Sequence, residues 1–381
     1  MFALAGAHFV ADLIGGILPG ILPVALRHFG ISLGVGVVIL TCISIGSNIL
    51  QIPAAQFEKK TRRPRLLYVG LALSALIVLL AALPAGTPVP VLCLLMLIVG
   101  IGIAIIHPTG LRGAQNIRGL AQTVTTPAFM IGGFLGYAMG PWVGANLIER
   151  FGLAGLYFLL LPAAAVALAL HGSRVRLAVD SGTAGLPKKP QEHSPWSFRQ
   201  LMLIAFFLNT GSLIIQALLP TFLNTKGFSL SFSGFCAMLF GIGSALGSIG
   251  IGLLARRFRP ERFILGGLLL GVPVTLAYLL LAARPEACIL SFAAGLLVSS
   301  GFPLIVALAR HAANGPSLGT RMALIVGGTW GAAGAVFLAV GQAASYFGLE
   351  TVMHTVWIFY LLALLTAYGT LPRRRPEMAR Q

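Results

Sequence analysis

Hydrophobic residues follow one another along this chain in long blocks that are separated by short polar connections. About 20 consecutive apolar residues are needed for a helix to cross the hydrocarbon core of a bilayer. The pattern predicts twelve such blocks, at 3–26, 32–56, 66–84, 90–111, 123–148, 153–171, 201–223, 231–254, 263–283, 288–309, 322–345 and 351–371. We therefore expect an all-α polytopic membrane protein with twelve transmembrane helices.

The composition supports this interpretation and excludes a soluble protein. Of the 381 residues, 57% are hydrophobic and 9% are charged, whereas soluble globular domains carry about 25% charged residues. The sequence does not contain the His-Glu-x-x-His pattern of zinc hydrolases. We therefore predict an intramembrane protein that is not an enzyme, with neither a metal site nor another cofactor.

The distribution of basic residues predicts the orientation in the membrane. The net charge of +17 would suggest nucleic acid as a partner of a soluble protein. Here all but four of the 26 lysine and arginine residues fall on one side when the N-terminus is placed inside; the four are Arg27, Arg150, Lys226 and Arg284. Because cytoplasmic loops carry the excess of basic residues, we expect both termini in the cytoplasm, membrane lipids as partners, and no nucleic acid.

The chain divides into two halves that repeat each other. Leu22-Pro23-x2-Leu26-x3-Gly30-x-Ser32-Leu33 returns 197 positions later as Leu219-Pro220-x2-Leu223-x3-Gly227-x-Ser229-Leu230, and at the same spacing Asp12 corresponds to Asn209. We predict an N-terminal six-helix bundle over 1–171 and a cytoplasmic linker over 172–200. A C-terminal six-helix bundle over 201–371 and a basic cytoplasmic tail over 372–381 complete the chain.

Asp12 is the acidic residue that falls in the middle of an apolar block. A carboxylate at that depth is costly and usually functional, and it must be protonated, paired or in contact with water. His8 precedes it by four residues, so both side chains lie on one face of a helix. The pair is either a structural contact with a neighbouring helix or, as we favour, the proton-coupling group.

Polar residues in two other blocks are candidates for substrate binding: His107, Arg112, Asn209 and Gln216. His107 lies at a depth similar to that of His8. Arg112 either extends to the lipid headgroups or reaches inward to a buried carboxylate or an anionic solute. Asn209 and Gln216, in the seventh block, either line a cavity or form hydrogen bonds between helices.

Two motifs resemble those of the major facilitator superfamily, whose transporters consist of two six-helix halves in parallel orientation. In the fifth block Gly136-x3-Gly140-Pro141-x2-Gly144 resembles the antiporter motif, and its small residues at a spacing of four allow close helix packing. Glu58, Arg62 and Arg63, after the second block, resemble the cytoplasmic loop signature. The resemblance implies the superfamily fold and transport by alternating access.

A narrower resemblance covers residues 1–145. His8-x3-Asp12, Leu22-Pro23, His107-Pro108-x3-Arg112 and Gly119-Leu-Ala-Gln122 are similar to the fosmidomycin resistance protein family. That family comprises bacterial inner-membrane exporters within the superfamily. The resemblance therefore implies a location in the bacterial inner membrane and a role in drug efflux.

We interpret the chain as a secondary active transporter. The leading hypothesis is a proton-coupled exporter, an antiporter for a small solute or drug, with Arg112 favouring an anion. A proton-coupled uptake symporter is the alternative, because alternating access runs in both directions. A metal-dependent intramembrane enzyme and a receptor or scaffold without transport are the alternatives from other classes. We expect a monomer whose partners are a small-molecule substrate and protons.

Overall fold

The computed structural model describes residues 1–49, 51, 64–117, 119–120, 122–177, 194–254, 259–310, 312 and 315–369. Within these ranges all regular secondary structure is helical. The helices of the N-terminal half are α1 (Phe2–Phe29), α2 (Leu33–Ile49), α3 (Arg65–Ala75, extended by the 3-10 segment Leu76–Ala81), α4 (Val89–Gln115), α5 (Gln122–Phe151) and α6 (Leu160–Gly172). The 3-10 segment Gly152–Leu159 joins α5 to α6.

The helices of the second half follow the same order. They are α7 (Phe198–Thr225), α8 (Leu230–Leu254), α9 (Pro260–Leu280), α10 (Cys288–Val298, Ser299–Gly301 and Phe302–Ala309), α11 (Leu318–Met322, Ala323–Gly328 and Thr329–Phe347) and α12 (Leu349–Met353 and Trp357–Gly369). The middle segment of α10 is 3-10 helix, and the middle segment of α11 is π-helix.

Nine helical stretches in the described ranges are long and apolar enough to cross a membrane, and one of them, Val124–Gly172, contains both α5 and α6. Two shorter apolar helices, Leu33–Asn48 and Arg65–Ala81, add to these. The prediction of an all-α polytopic membrane protein is confirmed. The number of twelve crossings and the division into four chain segments stay predictions.

The sequence repeat produces the same local structure twice. Gly30 directly follows the last residue of α1, and Gly227 lies two residues after the last residue of α7. Both glycines are left-handed, with φ angles of 65° at Gly30 and 91° at Gly227. Each turn is closed by the same bond, from Ile31 N to Leu26 O at 3.1 Å and from Phe228 N to Leu223 O at 3.3 Å. A glycine adopts this conformation without steric cost, which is why it ends both helices.

The start of α7 is anchored by the residues just before it. The Ser197 side chain caps the helix and the Gln200 side chain bonds back to the Ser197 backbone, which forms a capping box. Trp196 is fully buried, and its indole N–H donates to the carbonyl oxygen of Ala367 in α12 at 3.0 Å. The first and last helices of the second half are thereby tied together.

In the part of the chain that the structure describes, three pairs of helices make the most extensive contacts between the halves. α1 packs against α7, α2 packs against α11, and α5 packs against α8. Inside the N-terminal half, α1 and α5 run parallel in backbone contact, since a carbon added to Gly140 would lie 2.6 Å from the backbone of Gly16. This arrangement places the middle of α1 at the centre of the molecule, between α4, α5 and α7.

Candidate functional site

Three titratable side chains from two helices meet near the middle of the bundle. His8 Nε2 lies 3.2 Å from Asp12 Oδ2 within α1, and His107 Nε2, from α4, lies 3.3 Å from Asp12 Oδ1. The two imidazole rings also meet edge to face, with centroids 4.7 Å apart. The structure therefore brings together three of the predicted site residues, and we call them the His8–Asp12–His107 cluster.

Backbone carbonyl groups fix the orientation of both imidazole rings. His8 Nδ1 lies 2.9 Å from the carbonyl oxygen of Phe129 in α5, and the imidazole ring of His8 stacks on the phenyl ring of Phe129 with centroids 4.2 Å apart. His107 Nδ1 lies 2.9 Å from the carbonyl oxygen of Ile103, one turn earlier in α4. A carbonyl oxygen only accepts, so each Nδ1 donates its hydrogen and each Nε2 is directed at the Asp12 carboxyl group.

This geometry allows the cluster to bind two protons. With both Nδ1 atoms protonated, a neutral ring presents a bare Nε2 to the carboxylate, and two acceptors face each other. The contacts at 3.2 and 3.3 Å become hydrogen bonds only when a proton lies in each of them. Two protons complete both bonds and convert the cluster from one negative to one positive charge.

The cluster borders accessible space on one side. The His8 side chain is 1% exposed, whereas Asp12 is 16% exposed and His107 is 23% exposed. A buried ring on one side of the carboxyl group and an accessible ring on the other allow protons to reach Asp12 without exposing the whole cluster.

Gly133 in α5 forms the wall behind the pair on α1. A carbon added at Gly133 would lie 2.6 Å from Asp12 Oδ2 and closer still to the His8 ring, so a side chain at this position would displace both. Sequence reasoning missed this role, and it missed the Phe129 contact. The signal for Gly133 was its place in the glycine-rich run of the fifth block, while a backbone acceptor such as Phe129 O has none.

The predicted antiporter-motif residues lie at helix contacts. Carbon atoms added to Gly136 and Gly140 would strike the backbone of α1, and one added to Gly144 would lie 3.0 Å from the side chains of Ile17 and Ile21. The carbonyl oxygen of Pro141 lies against Gly20 of α1 and against Gly234 of α8. These residues bring α5 close to α1 in its own half and to α8 in the other half.

The predicted residues of α7 are not part of the cluster. Asn209 is 1% exposed, and its amide donates to Thr329 Oγ1 in α11 at 2.9 Å, while that hydroxyl donates to the Ile325 carbonyl oxygen at 2.6 Å. Gln216 lines a small cleft between the halves, opposite Tyr137 of α5. Tyr137, which the sequence analysis did not select, is 37% exposed.

The remaining predicted residues are Arg112, at the end of α4, and the three residues that follow the second apolar block. Arg112 is partly buried in the last turn of α4, five residues beyond His107, which is about 7.5 Å along the helix axis. Glu58, Arg62 and Arg63 lie outside the described residues, as does the tail after residue 369.

The cluster also has a donor set that a transition metal accepts. The ligand atoms of His8, Asp12 and His107 all lie within 4.8 Å of one another, and imidazole and carboxylate are common ligands of zinc. The nitrogen-to-oxygen distances of 3.2 and 3.3 Å lie at and just beyond the upper end of the usual N–H···O range, and we interpret these contacts as the hydrogen bonds of the protonated cluster. The absence of a metal site stays a prediction.

Comparisons with known proteins agree with this architecture. The sequence of the chain matches the family model of the Major Facilitator Superfamily over residues 4–287. The chain is 29% identical to the uncharacterized MFS-type transporter YfnC of Bacillus subtilis, over 94% of this chain and 89% of that protein. It is 24% identical to the fosmidomycin resistance protein of Escherichia coli, over 96% of this chain and 91% of that protein.

Solved structures show the same fold. A bacterial homologue of the human lysosomal transporter Spinster, in an inward-facing and occupied conformation, superimposes with a TM-score of 0.74 at 16% identity, over 97% of this chain and 95% of that chain. The nucleoside transporter NupG, as its D323A mutant, gives a TM-score of 0.70 at 14% identity, over 97% and 98%. The chain belongs to the Major Facilitator Superfamily, and it is a secondary transporter of the membrane rather than an enzyme.

Proposed function

We propose that the protein is a proton-coupled exporter of a small solute, working by alternating access in the bacterial inner membrane. The observation that supports this most directly is the His8–Asp12–His107 cluster. It combines a partly buried carboxyl group with two oriented imidazole rings, one buried and one partly exposed. Intramembrane groups of this kind are typical of proton relays.

Antiport requires that protons and solute exclude each other at the cluster. In the proton-free cluster Asp12 offers both carboxyl oxygens to hydrogen-bond donors of a solute, whereas in the cluster filled with two protons each oxygen already accepts from an imidazolium, so a solute donor has to compete with it. Arg112 lies five residues, or about one and a half turns, beyond His107 on the same helix. It supplies a positive charge for an anionic part of the solute. Proton entry from outside therefore releases the solute, and proton loss to the cytoplasm restores the binding site.

Export is the direction that the comparisons favour. The Escherichia coli relative is named for fosmidomycin resistance, which is the phenotype of an exporter, and fosmidomycin is therefore the first probe for this chain. The basic residues on the predicted inner side support an orientation with both termini in the cytoplasm. We expect the monomer to be the transporting unit, since the cluster is built within one chain.

Uptake symport is a second candidate, favoured by the charge of the filled cluster. Two bound protons give the cluster one positive charge, which attracts an anion, so that an anion bound directly to the cluster would travel with the protons. The two candidates predict opposite proton movements on solute binding. An antiporter releases protons when the solute binds, whereas a symporter takes them up.

Fosmidomycin accumulation in everted membrane vesicles tests the proposal. An acid interior should drive the drug into vesicles that contain the wild-type protein, and Asp12→Asn should abolish this dependence on the pH gradient. Glu286→Gln is the matched control, because it also replaces a carboxyl group by an amide but at an exposed position between α9 and α10. Full gradient dependence of the Asp12→Asn protein would show that the coupling proton does not use the cluster.

A further inference from the structure

Four helix ends from both halves meet at the end of the bundle that holds the α1–α2 connection, residues 30–32. We call this the distal end; in the predicted topology it faces the outside. The ends are the starts of α2 and α8 and the final turns of α5 and α11. The first backbone N–H groups of a helix have no partner within it. Ser32 Oγ accepts from Val35 N at the start of α2, and Ser229 Oγ accepts from Phe232 N at the start of α8, while a further N–H group at each start takes its acceptor from another helix.

The start of α8 takes its acceptor from the other half. The backbone N–H of Ser231, in the first turn of α8, donates to Glu149 Oε2 at 2.8 Å. Glu149 lies two residues before Phe151, the last residue of α5, and is exposed. A carboxylate at a helix start is favourable because it accepts a free N–H and faces the positive end of the helix dipole.

The start of α2 is capped in the same way by the second half. The backbone N–H of Gly34 donates to Ser345 Oγ, near the end of α11, at 2.9 Å. The Ser345 hydroxyl donates in turn to the Gly341 carbonyl oxygen at 3.2 Å. Gly34 is buried, while Ser345 is exposed, so this bond also lies at the rim of the interface.

The two bonds are related by the internal repeat. Gly34 and Ser231 are separated by 197 positions, the spacing that relates the two halves, and Ser345 lies one residue from the position equivalent to Glu149. Each half therefore caps the corresponding helix of the other half. Neither bond stabilises a half by itself, because both cross between halves.

Close helix packing lies directly behind these two bonds. Between α5 and α8, a carbon added to Gly234 would lie 2.5 Å from the Pro141 carbonyl oxygen. Between α2 and α11, one added to Gly341 would lie 2.6 Å from the Val37 side chain. The packed surface excludes water, whereas the exposed caps exchange readily with it, so the caps are the part of the contact that opens first.

We propose that Glu149 and Ser345 are a paired gate at the distal end, which holds the two halves together there by capping each other's helices. Breaking both caps is then the step that allows the distal end to open. This inference does not depend on the substrate or on proton coupling, since neither bond involves the His8–Asp12–His107 cluster.

The distance between the two halves at the distal end measures this gate. Spin labels are placed on two exposed residues, Phe151 at the end of α5 and Leu281 just after α9, in a variant whose four cysteines are replaced by alanine. Loss of a helix cap changes an equilibrium by about fivefold. Glu149→Ala or Ser345→Ala should therefore raise the ratio of distally open to closed molecules about fivefold, and the double variant about twenty-five-fold if the effects add.

Controls separate the gate from general destabilisation. Glu286→Ala removes another exposed carboxylate at the distal end and should leave the ratio unchanged. Glu149→Gln keeps an amide oxygen as acceptor, so it should shift the ratio in the same direction by less, and it replaces Glu149→Ala if that variant does not fold. Unchanged distances in the folded Glu149 and Ser345 variants, or an equal shift in Glu286→Ala, would overturn the proposal.

Discussion

Replacing Gly133 by alanine should change how the cluster binds protons. The added methyl carbon would lie 2.6 Å from Asp12 Oδ2. Ordinary van der Waals contact begins at 3.4 Å, so the separation between this carbon and the oxygen has to increase from 2.6 to 3.4 Å. The bond between Asp12 Oδ2 and His8 Nε2, which is 3.2 Å long, cannot survive a displacement of that size. The contact between Asp12 and His107 is on the other carboxyl oxygen, which is not among the three atoms nearest to the added carbon.

The size of the change in proton binding follows from the loss of the hydrogen bond between His8 and Asp12. A hydrogen bond that involves a charged group contributes about 1.5–3 kcal/mol, and 1.36 kcal/mol corresponds to about one pH unit. The bond exists only in the proton-filled cluster, so its loss weakens proton binding. We expect the titration of the cluster to move toward acid by about 1–2 pH units.

NMR of the purified protein with carbon-13-labelled histidine measures this titration without a substrate. The His8 signal is assigned by its disappearance in His8→Ala. Gly144→Ala is the matched control, because it adds a methyl group to the same α1–α5 interface where it meets only Ile17 and Ile21. A folded Gly133→Ala protein whose His8 titrates as in the wild type would refute the reasoning.

Three further outcomes are expected. Thr329→Val removes the acceptor of the buried Asn209 amide, so the free energy of unfolding should fall by about 1–3 kcal/mol in denaturation experiments, without any change in the histidine titration. Arg112→Ala should raise the half-saturating concentration of an anionic substrate at least about tenfold in flux measurements, and Arg112→Lys should restore it only in part if the contact is bidentate; equal values in all three proteins would remove the anion site. Cysteines placed in 178–193 should be inaccessible to external reagents in intact cells, and their labelling would reverse the predicted topology.

The helices and part of the site could be predicted because their signals are local. Long apolar blocks indicate membrane helices directly, and a spacing of four residues places His8 and Asp12 on one face. The contact with His107 was suggested by equal depth in two helices. The repeat predicted two related halves, and the same glycine and leucine positions end α1 and α7 in the structure.

The rest depends on which helices become neighbours. The stacking of His8 on Phe129 joins residues 121 positions apart, and the partner of Asn209 lies 120 positions away in α11. Asn209 corresponds to Asp12 in the repeat, yet its amide is used to join α7 to α11. Equivalent positions in the two halves therefore share a depth in the membrane without sharing a role.

The glycine contacts between α1 and α5 have a consequence for the proton coupling proposed above. Gly16 and Gly140 hold these two backbones together, and the three side chains of the cluster come from α1 and α4, which lie in the same half as α5. In the proposed alternating-access cycle the cluster would therefore move together with one half of the molecule. A pH gradient would then act on it through hydration, because the same three groups would contact water first from one compartment and afterwards from the other.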